Sequence, residues 1–267
     1  MKIIILALII FSNFLTMPVS ADEYWLEPDT FFPAPGQKTA LHLYVGNGLF
    51  KDLGEYPFKR DKTRMFQLFS TSKTVDLKKS LIDGELPVYH FSASHSGNFL
   101  LAMEREWVHI KLDPLKFEDY LREDGIEYII AEREKLGESL KEGRERYSRY
   151  IKSLLQVGEK RDAIYKKSTG LRLEIIPLDN PYSKILGDEL NFQVVFEGKP
   201  LVGKAIFGDS RSGATQKMIT DHEGKVTLKI DQSGFWLMRL VYMQRCVTSC
   251  EGADWDSFWG AFSFGVK

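Results

Sequence analysis

Two stretches of short, alternating strand-like text flank a charged segment without such alternation, and this division constrains the chain more than any single motif. The segment runs from Pro114 to Gly158. Asp113-Pro114 offers an N-cap followed by proline at the first helical position. Asp124-Gly125 gives a break, and Ile126 to Leu136 predicts a second helical run ended by Gly137. From Tyr147 to Val157 the apolar residues Tyr147, Tyr150, Ile151, Leu154, Leu155 and Val157 recur at steps of three and four, which predicts a last amphipathic helix between Gly143 and Gly158. Glu142, Arg144, Glu145, Arg146 and Arg149 read as its solvated, weakly ion-paired outer face, the alternative being an anion-binding patch.

Before the segment, Thr39 to Val45 alternates, with Leu41, Leu43 and Val45 facing one way and Ala40, His42 and Tyr44 the other. Further strands are expected at Arg64 to Ser70, Val88 to Ala93, Asn98 to Glu104 and Trp107 to Leu112, separated by the turn formers Asp83-Gly84 and Ser96-Gly97. After a polar crossing from Glu159 to Gly170, short runs return: LRLEIIP, LNFQVVF, KVTLKI and GFWLMRL. Such spacing suits antiparallel sandwiches. The expected fold is mainly β: two immunoglobulin-like or prealbumin-like sandwiches, residues 22–113 and 171–267, joined by a helical segment and linker over 114–170.

Lys2 followed by a run of apolar residues and then Pro18-Val19-Ser20-Ala21 reads as a secretory signal peptide, residues 1–21, cleaved after Ala21. The run falls short of the roughly 20 residues of a membrane-spanning helix. A formal net charge of −1 gives no warrant for nucleic acid as a partner.

Chemistry is harder to place. His42, His90, His95 and His109 lie in the first β region, where two or three can converge across neighbouring strands, although no pair has the spacing of metal ligands along one element. Asp22 and Glu23 join such a cluster only if the mature N-terminus folds back onto it. Cys246 and Cys250 form C-x-x-x-C in a compartment that permits oxidation. A disulfide closing a short loop is one reading; a thiolate metal site with Glu251 or Asp254, which needs a reducing partner, is the other. Asp254 and Asp256 between Trp255 and Trp259 are the acids a hydrolase of envelope glycans would use. No nucleophile elbow, phosphate loop, zinc-protease or dinucleotide motif occurs.

The segments EYWLEP (Glu23 to Pro28), PAPG (Pro33 to Gly36), YLREDGIEYIIAER (Tyr120 to Arg133), ERYSRYIKSLLQVG (Glu145 to Gly158), GKPLVGKAIF (Gly198 to Phe207), TDHEGKVTLKI (Thr220 to Ile230), GFWLMRL (Gly234 to Leu240) and ADWDSFWGAFSF (Ala253 to Phe264) together resemble the secreted bacterial family DUF4198. Its members have been grouped with the substrate-specific component of nickel uptake systems. The resemblance implies a periplasmic, two-domain, β-rich protein linked to transition-metal handling. Similar members often carry histidine directly after the cleavage site, beside the free α-amine; Asp22 stands there in this chain and is a weaker ligand for nickel or copper. The expectation is a periplasmic, non-enzymatic binding or accessory protein for nickel or cobalt, with Asp22, Glu23, His42, His90 and His109 as candidate ligands. The alternative is an envelope module that binds a protein or a glycan without metal.

Overall fold

Alternating and fully apolar runs form seventeen strands in the computed structural model, which describes residues 23–46, 50 and 53–267. The signal peptide read at residues 1–21 and the candidate ligand Asp22 lie outside the described residues. β1 (Glu23–Pro28), β2 (Thr39–Gly46), β3 (Gly54–Tyr56), β4 (Thr63–Phe69), β5 (Thr74–Asp76), β6 (Tyr89–Phe91), β7 (Gly97–Arg105) and β8 (Val108–Leu112) precede two helices, α1 (Pro114–Glu123) and α2 (Tyr128–Lys135). Next come β9 (Gly143–Val157), β10 (Leu173–Pro177), β11 (Glu189–Phe196), β12 (Lys199–Pro200), β13 (Ala205–Ser210), β14 (Gln216–Ile219), β15 (Lys225–Lys229), β16 (Gly234–Arg245) and β17 (Trp255–Val266).

A nine-stranded sheet of order β14-β13-β16-β17-β9-β7-β4-β5, with β8 also on β9, runs through the molecule. Its one parallel pair, β17 on β9, joins strands of the early and the late sequence; the other pairs are antiparallel. Two four-stranded sheets cover it, one of β1, β2, β3 and β6, the other of β10, β11, β12 and β15. Phe235 and Trp25 meet on one face of the large sheet, and Phe262 and Phe192 on the other. The result is three layers, with the two helices beside the first small sheet over a satellite core that includes Phe117, Tyr120, Ile129, Trp255 and Trp259.

The start of the helical segment is as the sequence predicts. Asp113 caps α1 by accepting from the Lys116 amide at 3.1 Å, Pro114 opens it, and Gly125 ends it with φ +69°. The last helix is a correction: Gly143–Val157 is a strand, the longest in the fold. Its spacing misleads because the residues between the apolar ones are also buried. Lys152 pairs with Glu174, Ser153 accepts from Ser263, and Arg149 lies over the Tyr24 ring at 3.9 Å. A strand buried on both faces loses the period of two. The same holds for β17, all twelve of whose residues are buried. The 114–170 stretch thus holds two helices and then a strand: β9 pairs with β7 before it in sequence and with β17 after it.

Candidate functional site

The predicted ligands are placed on different parts of this frame. His42 points outward from β2, as its parity requires, between two carboxylates: Glu55 Oε1 at 2.7 Å from Nδ1 and Asp29 Oδ1 at 2.9 Å from Nε2. Its ring stacks on Tyr44 at 5.3 Å. Burial works against the imidazolium, but hydrogen bonds and charge from Glu55 and Asp29 outweigh it and hold the His42 pKa above its ordinary value. The exposed His90 lies opposite Ala40 in the β2–β6 register, so it shares that outer face with His42.

Glu23 and His109 are elsewhere. Glu23 turns inward and meets Arg239 Nη1 at 3.2 Å; Asp209 and Asp124 lie 3.0 and 3.8 Å from the same guanidinium. Burial pushes the Glu23 carboxyl up, against the pull of Arg239 and Arg149. This inner cluster fastens β1, the end of α1 and β13 to β16. His109 lies on β8 in the large sheet, 3.8 Å from Glu251. Among the described residues no three His, Cys, Asp or Glu side chains are grouped to hold a metal ion. The two carboxylates at His42 lie on opposite ring nitrogens, so as built they do not converge on a common point.

Cys246 and Cys250 form a disulfide. The acids beside them are occupied: Arg144 holds Asp254 with two contacts of 2.7 Å, and Arg146 holds Asp256 at 2.5 Å. The Arg144 contact keeps the Asp254 carboxyl below its ordinary range.

A polar cleft of about 640 Å³ escaped sequence reasoning. Tyr165 stands at one side, on a single turn at Ile164–Lys166; Asp179, Asn180, Ser183, Lys184, Asp188, Glu189 and Asn191 form the rest. Asn180 caps the turn Pro181–Ser183 through the Tyr182 amide and donates to Asn98 at 3.1 Å. Asp179 accepts from the backbone and side chain of Asn191 at 3.2 and 3.0 Å, with Lys184 at 3.5 Å. Burial alone would raise the Asp179 pKa, yet those donors keep it below its ordinary value. Asp179, Asn180 and Asn191 are therefore fixed before any ligand arrives, and they line the cleft together with Tyr165. The available signal was the LDNPYS text, a turn opening on Asp179 and Asn180.

The fold and these sites define a mainly β, layered protein whose charged side chains are extensively paired. The chain belongs to the family described as "Domain of unknown function (DUF4198)", whose profile matches residues 19–244. No curated protein matches it. Among solved structures, three N-terminal domains of the Highly Immunogenic Outer Capsid protein (Hoc) of bacteriophage RB49 align with 91% of this chain at 8% identity and a TM-score of 0.20. The chain spans 59% of that structure's length.

Proposed function

We propose that this chain is a non-catalytic binding protein of the bacterial envelope that takes a glycan in the Tyr165–Asp179–Asn191 cleft. The carrying observation is the cleft's composition: an aromatic ring beside amide, carboxylate, hydroxyl and ammonium groups, several of them already fixed by one another. Fixed planar acceptors and donors suit vicinal hydroxyls, and a Tyr ring supplies an apolar face with a wet edge. The periplasmic location rests on the signal-like text at residues 1–21. The test is titration of the signal-processed protein with a panel of peptidoglycan and lipopolysaccharide oligosaccharides, followed by backbone amide shifts. Saturable binding that moves the amides of residues 165 and 179–191, and that Y165A weakens at least tenfold, supports the reading. Flat titrations across the panel would sink it.

A divalent metal ion is the second reading, favoured by one observation: His42 and His90 share an outer face with Asp29 and Glu55. The ion would have to displace the proton and one carboxylate from His42. Calorimetry with Ni²⁺, Co²⁺, Cu²⁺ and Zn²⁺ decides it. One-to-one binding abolished by H42A/H90A supports metal handling, and heat signals unchanged in that variant reject this site.

A further inference from the structure

Under the disulfide loop, on the face of the large sheet turned away from the helices, β8 and β9 set Lys111 directly opposite Arg144, and the imidazole of His109 opposite Arg146. Like charges in cross-strand register are destabilising, so the Lys111–Arg144 pair requires compensation. Most of it comes from the loop between β16 and β17. Arg146 donates to the carbonyls of Thr248 and Ser249 and to Asp256; Arg144 donates to Asp254; Glu251 approaches His109 at 3.8 Å. Compensation stops short of Lys111, which has no acceptor or carboxylate partner among the described residues, and of the Nη1 of Arg144, whose Nε and Nη2 are the atoms held by Asp254.

Lys111 and Arg144 border a cavity of about 420 Å³ that His109, Ile110, Glu145, Glu251, Gly252 and Ala253 help to line. The loop that roofs it is held in an uncommon form: Ser249 and Glu251 have φ of 52° and 50°, and the Cys246–Cys250 bond closes the turn that contains Ser249 and precedes Glu251.

We propose that this cavity is a binding site for a small organic carboxylate. The ligand's carboxylate lies between Lys111 and Arg144, completes the neutralisation that the loop leaves unfinished, and displaces Glu251 from His109. Gly252 and Ala253 meet its carbon skeleton. Arginine and lysine together offer a fork and a point charge, a combination suited to an oxyanion. Carboxylate is favoured over inorganic phosphate because Gly252 and Ala253 offer contact to a carbon skeleton that phosphate lacks.

The experiment is a titration of the oxidised, signal-processed protein with citrate, and separately with inorganic phosphate, at neutral pH and low ionic strength, read by backbone amide shifts. The proposal expects saturable citrate binding with shifts confined to residues 109–111, 144–145 and 250–253. It expects K111E to weaken binding at least tenfold and E251Q to tighten it severalfold. Both positions are exposed, and an unchanged melting temperature certifies that each variant folds. Shifts located elsewhere, tighter binding of phosphate than of citrate, or equal citrate affinity in K111E and the unsubstituted protein would each overturn the assignment. The cleft at Tyr165 is lined by none of these residues, so failure here leaves the glycan reading standing.

Discussion

Lys152 of β9 and Glu174 of β10 form an ion pair of 3.0 Å between the large sheet and the sheet stacked on it, each side chain almost wholly without solvent. Their other contacts are unequal. Glu174 also accepts from the Ser168 hydroxyl, the Thr169 amide and hydroxyl and the Gly170 amide, whereas among the described residues Glu174 is the single hydrogen-bond partner of the Lys152 ammonium.

That asymmetry predicts unequal costs. Glu174→Leu strands a buried ammonium and unties residues 168–170, and should lower stability by about 3–5 kcal/mol. Lys152→Met leaves Glu174 with four donor groups and should cost less than half as much. Urea unfolding of the two variants measures the difference, and equal losses would contradict it.

Glu145 gives a pH dependence. It lies fully buried where α1 meets β9 and β17, its Oε1 accepting from Tyr120 at 3.2 Å and from Ser257. Burial pushes its pKa up to about 7 from 4.5, against the pull of those hydroxyls and of Arg149. Between those values the native state binds the proton and the unfolded state does not. Glu145 therefore contributes stability that is full below pH 4.5 and is lost as pH rises to 7, on the order of 3 kcal/mol. The difference in unfolding free energy between Glu145→Gln and the unsubstituted protein should move by that amount across the window, in favour of the variant at the higher pH.

His42 should titrate above its ordinary value of 6.5 by imidazole NMR, because it gains two carboxylate partners on folding. Its contribution to stability is present below 6.5 and disappears as pH rises through the folded pKa. Asp29→Asn or Glu55→Gln should each lower the His42 pKa. A titration unmoved in both variants would mean the contacts are not maintained in solution.

Gly143→Ala tests how α1 is seated. A β-carbon at Gly143 would lie 2.1 Å from the Phe117 ring, which is fully buried beneath it. The ring must move into a filled core, so the substitution should cost about 1–3 kcal/mol although alanine is otherwise tolerated in a strand. Thermal unfolding reads this directly, and a neutral variant would show that Phe117 has room to shift.

Strands with one wet face were legible. Leu41, Leu43 and Val45 are buried, and His42 and Tyr44 half-buried, as their alternation says. Helix ends were legible where chemistry marks them, at Asp113-Pro114 and at Gly125 and Gly137. β9 was not, because Arg149 and Lys152 look like a solvated face until Tyr24 and Glu174 are known to cover them. The candidate ligands were dispersed for a related reason. His42 and His109 are separated by sheet membership, which no local pattern carries, and the Tyr165 cleft unites residues from two turns with the start of a later strand.

The sequence by itself determined a mainly β chain, its family and the capped start of α1, whereas the structure decided between the two readings of Cys246 and Cys250 in favour of a disulfide. These follow from short-range rules: alternation, capping and turn-forming residues act within a few positions. The tertiary structure alone decided that β9 is the shared central strand, that Lys152 and Glu174 meet inside, and that Lys111 and Arg144 face each other under the loop. Those relationships join residues far apart in sequence, and whether a charge there is exposed, paired or left to a ligand depends on which sheet is laid over it.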